Sequence, residues 1–228
     1  MITAFVRAID QLGDPALRRV VWIGVLGAAG LFAILWIGVG VLLSTTTLFQ
    51  SGWLDRAVDV LGGVAALALT LMFFPAVATG ILGFFLDDAA AAVERRHYPG
   101  LPAPRRSSIA ESILASLKFL TVMLALNLFT LLFLLVPPVF PFVFYAVNGY
   151  LLGREYFEVV ALRWQQPAIV TELRRRKRGQ LFLAGIIIAF LLTLPLINLI
   201  APVVATAAMV HLYHSFDQPA PAAVLARR

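Results

Sequence analysis

Polar and apolar positions fall in long blocks along this chain, and the blocks predict helices of unequal reach. Ile2, Phe5, Val6, Ile9 and Leu12 recur at helical spacing, with Thr3, Arg7, Asp10 and Gln11 opposite. That is the pattern of an amphipathic helix lying on a membrane surface. Gly13 ends it, and Asp14-Pro15 supplies an N-cap and a first-turn proline for the next helix. No charge interrupts Val20–Leu43 or Val60–Leu86. Each run is long enough to cross a hydrocarbon core of about 30 Å, which takes ~20 residues. Ser44–Asp59 is the predicted connection between them, and Pro75 predicts a kink in the second helix. Asp87 and Asp88 mark its emergence, after which Ala89–His97 continues as a projecting helix up to Tyr98-Pro99-Gly100.

The later blocks are shorter. Leu181–Leu194 is fourteen residues, about 21 Å as a helix at ~1.5 Å per residue, and Val203–His214 is shorter still. Pro195, Asn198 and Pro202 lie between them, and Arg174-Arg175-Arg176-Lys177-Arg178 precedes them. A basic collar that cannot cheaply cross lipid, followed by two short apolar arms, predicts a hairpin that enters the bilayer and turns back. Two tilted spanning helices are the alternative. Non-helical backbone at membrane depth needs cover, so the tip at Leu194–Pro202 must meet other helices, another subunit or a wet cavity. Ser108 with Glu111 reads as a capping box opening an earlier block. There Phe119–Gly153 carries no charge for about 52 Å, too long for one span. Pro137-Pro138 and Pro141 break it and leave Phe142–Gly153 as a second short arm. Two proline-tipped hairpins suggest a loose internal duplication of the kind that marks binding regions in transporters. Prolines are also ordinary in membrane helices.

The expected fold is therefore an all-α integral membrane protein. It has two long transmembrane helices, two proline-tipped hemi-penetrating hairpins and an N-terminal amphipathic helix. Residues 1–216 form one membrane domain, and 217–228 form a Pro/Ala-rich flexible tail. Composition agrees: 61% of the 228 residues are hydrophobic and 13% charged, against about half and a quarter in soluble domains. Arg7 and Asp10 interrupt the N-terminal apolar positions, so no cleavable signal peptide is expected. The absence of cysteine excludes disulfides, thiolate nucleophiles and cysteine metal sites.

The net charge of +6 is unevenly placed, because Arg56 is the only one of 18 Lys and Arg in 44–59. The positive-inside rule puts both termini and the other connections in the cytoplasm, and 44–59 outside. The arginine clusters flank apolar spans, where topology and anionic phospholipid explain them and nucleic acid does not.

Candidate chemistry is sparse. Arg18 and Arg19, and by the same logic Arg95 and Arg96, can form anion-binding pairs, since guanidinium forks suit sulfate or phosphate oxygens. Topology and lipid contact are their plainer use. Glu94 is expected to pair with a neighbouring arginine, Asp87 and Asp88 to cap a helix, and Arg154 with Glu158 to pair at i,i+4. His211 and His214 share a helix face with Asp217 one turn on, a spacing open to a metal but better read as an interfacial pair. Asn127, Asn148 and Asn198 bridge helices or line a route. No cofactor motif or nucleophile with its base is present, and no enzyme is expected.

These pieces carry a family pattern. Pro15-Ala16-Leu17-Arg18-Arg19 leads into the first span, and Val93-Glu94-Arg95-Arg96 follows the second. Tyr156-Phe157-Glu158, the 174–178 basic run and Pro195-Leu196-Ile197-Asn198-Leu199 with Pro202 come in order after them. The layout resembles the CysZ family, bacterial sulfate-uptake membrane proteins related to the eukaryotic etoposide-induced membrane proteins, over most of residues 10–214. The resemblance implies two long helices, two hemi-penetrating hairpins, a homo-oligomer and sulfate passage supporting sulfur assimilation. It implies sulfate held near the paired arginines that Arg18-Arg19 match, with Pro137, Pro138, Pro195, Asn198 and Pro202 at tips that line or seal the route. A Gly-Leu-x-Ala-Glu stretch completes the family's anion site. Here the chain instead reads Phe85-Leu86-Asp87-Asp88-Ala89-Ala90-Ala91, without the glycine and with two extra carboxylates. A permease for sulfate or a related small anion, and a non-transporting membrane scaffold or envelope factor, both stay open.

Overall fold

Asp14 starts the first long helix as its pairing with Pro15 predicts, its Oδ1 accepting the Ala16 N–H at 3.0 Å. The computed structural model describes residues 1–45, 52–105, 109–194 and 196–216. Pro195, Ser108 with its capping pattern, and the tail from Asp217 lie outside them. All described elements are helical: α1 (Ile2–Asp10), α2 (Pro15–Thr45), α3 (Gly52–Gly83), α4 (Leu86–His97), α5 (Ile109–Leu132), α6 (Phe140–Ala161), α7 (Pro167–Arg176), α8 (Arg178–Thr193) and α9 (Ala201–Ser215). Short 3-10 turns stand at Gln11–Gly13, Phe133–Leu135 and Ile197–Leu199.

α2 and α3 are the long pair. Within them Pro15–Leu42 and Val60–Gly83 are long and apolar enough to cross a membrane. They pack antiparallel, with Gly24 against Ala78 and Leu82 at one level and Phe32 against Phe74 at the next, ring centroids 5.9 Å apart. Farther out, Trp36 Nε1 donates to Thr70 Oγ1 at 2.8 Å. Ile34, Ile37, Leu42, Leu61, Leu71 and Met72 lie exposed there. The predicted 44–59 connection is shorter than expected, because α3 already begins at Gly52.

The core lies around α9, in which every residue from Ala201 to Tyr213 is buried. α1, α4, α6 and α8 surround it. Pro202 is therefore no tip residue: it occupies the first turn of α9, where its missing N–H costs nothing. The tip is confined to 194–200. There Leu196 stands exposed at φ +66°, a strained setting for a side chain with a Cβ. The Asn198 carbonyl accepts from Thr79 Oγ1 of α3 at 3.5 Å, so the tip leans on another helix.

The other hairpin differs. Pro137 and Pro138 form its exposed turn, but Pro141 does not break the chain; it sits in the first turn of α6. α6 then runs past Gly153 to Ala161 because Arg154 and Glu158 pair on its surface at 3.0 Å. Its main partner is α8 rather than α5. Gly149 and Gly153 face Gly185 so closely that a Cβ on Gly149 would lie 3.2 Å from the Ile186 nitrogen, and one on Gly185 would lie 2.6 Å from the Gly153 nitrogen. This small-residue contact lets two backbones meet as membrane helices do.

Two smaller expectations also change. α4 does not project: Ala89, Ala90, Ala92 and Val93 are buried, because its alanine face fits close against α9. Asp87 and Asp88 make no capping hydrogen bond and stand in its first turn behind Phe85, where their charge suits the helix dipole. In α1 the face on the protein is Ala4, Phe5 and Ala8, while Ile2, Val6 and Ile9 point outward.

Candidate functional site

The polar ends of α1, α2, α4 and α9 meet around a cavity of about 720 Å³ lined by Arg7, Gln11, Asp14, Arg96, His97 and His211, among others. Asp14 organises it. While one oxygen caps α2, Oδ2 accepts Arg96 Nη1 at 2.6 Å, tying the end of α4 to the start of α2. The Ala16 N–H and the Arg96 guanidinium hold the Asp14 carboxyl below the usual carboxylate range.

The cavity floor is a network of imidazoles at the polar ends of α4 and α9, outside the spanning helices. His211 Nε2 lies 2.7 Å from Gln11 Nε2, and its Nδ1 lies 2.9 Å from the Tyr98 hydroxyl. Tyr98 stacks on His214 at 4.2 Å between centroids, and His97 meets the His211 ring edge-on at 5.5 Å. Burial, and then the neighbouring His97 and Arg7, push the His211 pKa down to about 4. Burial also lowers that of His214. Among the described residues no group of three or more His, Asp or Glu is placed to hold a metal. Through these contacts the two histidines tie α9 to Gln11 and Tyr98.

The arginines divide by what they touch. Arg163 binds Glu94 at 3.0 Å and Asp87 at 3.3 Å, while Trp164 Nε1 donates to Glu94 at 2.8 Å. Glu158 holds Arg154 at 3.0 Å and Arg174 at 2.6 Å, and Arg154 also lies over the Phe119 ring. Arg96 is committed to Asp14. Arg18, Arg19 and Arg95 are exposed, and no ion pair engages them among the described residues.

Arg18 and Arg19 stand one turn along α2 from Pro15, which lines the cavity. The structure thus brings Arg96 to the cavity, whereas Arg18, Arg19 and Arg95 do not line it. Pro137, Pro138 and Asn198 lie at the opposite ends of their helices, and Pro202 is buried in α9. Asn127 and Asn148 bridge nothing: each amide donates to its own helix, to Met123 O and Phe144 O. Arg7, Gln11, His97 and Tyr98 were not expected at a site. In the sequence Arg7 and Gln11 are only polar positions of the N-terminal amphipathic stretch, and nothing in sequence spacing brings them to His211.

A single alignment decides the family. The profile of the family described as Sulfate transporter CysZ/Etoposide-induced protein 2.4 matches residues 4–202. The chain belongs to that family. It is therefore a membrane protein of a transporter family, not of an enzyme family, and α2 and α3 are its candidate spans. No individual curated protein matches it. The CysZ profile spans α1 to the start of α9, so it covers the cavity, Arg18, Arg19 and Arg95, and the capped start of α2.

Proposed function

We propose that this CysZ-family protein is a permease or channel for sulfate or a related small oxyanion in the bacterial inner membrane. It works as a homo-oligomer, with both termini and the Asp14 cavity on the cytoplasmic side and anionic phospholipid around its arginine collar. One observation carries the reading: Arg18 and Arg19 stand exposed one turn along α2 from the cavity-lining Pro15, with no ion pair to them among the described residues, while Arg96 at the cavity is paired with Asp14. Two exposed guanidinium forks in the first turns of α2 add to the positive end of that helix, a setting that favours oxyanions. The carboxylate of Asp87, which would repel such an ion, is partly offset by Arg163.

α8 and α9 have 16 and 15 residues, about 24 and 22 Å at ~1.5 Å per residue, short of a core about 30 Å thick. That supports a hairpin entering from the cytoplasmic side and turning at Asn198. The α5–α6 turn at Pro137 and Pro138 lines or seals the route. The sequence carries no nucleotide-binding fingerprint, which favours passive or gradient-coupled flow over pumping.

Sulfate flux into proteoliposomes tests this. The Arg18→Ala/Arg19→Ala double variant lowers flux about tenfold or more, the effect of losing one charge-assisted contact worth ~1.5–3 kcal/mol. Wild-type protein that folds, inserts and passes no sulfate leaves the scaffold reading, which the altered 85–91 stretch favours.

A further inference from the structure

A second cavity, of about 790 Å³, lies between the start of α4, the middle of α5 and the polar end of α6. It shares no lining residue with the Asp14 cavity. On α6 it is lined by Glu155, Glu158, Val159 and Leu162, spaced three and four apart as one helix face requires. On α5 it is lined by Phe119, Leu120 and Met123. Met123 is one helical turn, about 6 Å, beyond Phe119, so the apolar wall runs on along α5. Phe84 adds a ring that is 87% exposed at the α3–α4 junction.

The charges in this cavity are engaged, with one exception. Asp87 and Arg163 pair with each other, Arg163 also holds Glu94, and Glu158 is shared by Arg154 and Arg174. Arg105 has a partner of its own. Glu155 is exposed and meets no cation among the described residues. The groove thus presents one uncompensated negative charge beside an apolar, partly aromatic wall.

We propose that this groove is a binding site for a lipophilic organic cation, with Glu155 as its counter-ion and Phe84, Phe119, Leu120 and Met123 against its apolar body. A carboxylate flanked by low-dielectric side chains attracts a cation more strongly than one in open water. The exposed Phe84 ring offers a π-face to positive charge, and the Met123 thioether is polarisable and adapts to an irregular ligand. An inorganic cation would answer Glu155 but leave the apolar wall bare. It would also find no second free ligand, because Glu158 and Asp87 are held by arginines. A neutral lipid chain would cover the wall but leave the carboxylate unpaired against it. A lipophilic anion would set like charge against Glu155. A large apolar cation answers the charge and the wall together.

The full-length protein in an uncharged detergent at pH 8 is titrated with tetraphenylphosphonium and, separately, with tetraphenylborate, an anion of the same shape. Protein-free micelles give the background for each. Tetraphenylphosphonium binds saturably, at about one per chain, and tetraphenylborate shows no saturable binding. Glu155→Gln weakens phosphonium binding about tenfold, the effect of one ion pair partly withdrawn from water, and Glu155→Asp retains most of it. A benzophenone-bearing phosphonium, photoactivated on the wild type, labels the segments that line the groove, at 84–87, 119–123 or 155–163. Equal saturable binding of both ions, no phosphonium binding above the micelle background, or an affinity unchanged in Glu155→Gln overturns the proposal. Labelling confined to other segments overturns it as well. The ion comparison and the labelling use the wild type, so a variant that fails to fold does not decide the matter.

Discussion

Gln11 and His211, 200 positions apart, are joined side chain to side chain at 2.7 Å, and this contact fastens the N-terminal helix to the buried centre of the protein. The imidazole meets Gln11 with one nitrogen and Tyr98 with the other. A neutral ring suits that position because it can donate at one nitrogen and accept at the other.

Acid should loosen α1. His211 is held neutral in the fold, with its pKa down to about 4, whereas the unfolded ring takes a proton near 6.5. Between those values the unfolded or detached state binds more protons, so the contribution is complete above about pH 6.5 and is lost as pH falls toward 4. His214 shifts in the same direction. The groups facing His211 are His97, Arg7, His214, Tyr98 and Gln11, and the cationic ones add to the effect. Hydrogen exchange should show α1 protected at pH 7.5 and progressively exposed below pH 6, with a shallower transition in His211→Gln. Equal protection of α1 at pH 7.5 and 4.5 would contradict this.

The α6–α8 contact predicts a sharp contrast between two glycines of α8. At Gly185 a Cβ would strike the backbone of α6, while at Gly179 nothing lies within 4 Å. Gly185→Ala should lower stability by about 1–3 kcal/mol, as overpacking does. Gly179→Ala should be neutral or stabilise by up to ~1 kcal/mol through helix propensity. Thermal unfolding of both variants in one detergent reads the difference, and similar melting temperatures would mean that α6 and α8 do not meet there.

Much of this architecture could be read from the chain. The lengths of the apolar blocks and Asp14-Pro15 gave the helix starts, and Arg154 with Glu158 paired at the expected four-residue spacing. What failed to show was long-range. α9 is rich in Ala and Val all round, and such a surface reads alike whether lipid or protein covers it, so its central place was hidden. Gly149 and Gly153 are four apart on one face, a legible small-residue motif whose partner Gly185 only the fold supplies. The same holds for the site. Arg18 and Arg19 are legible as exposed residues in the first turns of α2, but the engagement of Arg96 by Asp14, 82 residues away, could not be foreseen.

Glu94 should be the most sensitive carboxylate. It is 5% exposed and receives both Arg163 and the Trp164 indole. Glu94→Ala would leave the Trp164 indole N–H and Arg163 Nη2 without their acceptor, while Arg163 Nη1 keeps Asp87. The loss should therefore fall toward the lower end of the about 3–5 kcal/mol that breaking a buried pair costs. Glu94→Gln keeps one acceptor and should lose roughly half as much. Unfolding curves give the order, and the indole N–H resonance of Trp164 should shift in both variants. A Glu94→Ala form as stable as wild type would remove Glu94 from the structural core.

Asp14 does two jobs that substitution can separate. Asn caps helices about as well as Asp but carries no charge for Arg96. Asp14→Asn should therefore keep α2 intact and cost little, since the Arg96 side chain is 59% exposed and such pairs are worth about 0–1 kcal/mol. Asp14→Ala removes the cap as well and should cost about 1 kcal/mol more. If oxyanions gather at this end, Asp14→Asn also frees a third guanidinium beside the cavity. It should then tighten sulfate binding, measured as sulfate-dependent thermal stabilisation, by a few-fold at low ionic strength, and the gain should fade with added chloride as screening sets in. In Asp14→Asn/Arg96→Gln the gain should vanish, because the freed charge is gone. Persistence of the gain in that double variant would place the anion away from Arg96 and against Arg18 and Arg19 alone.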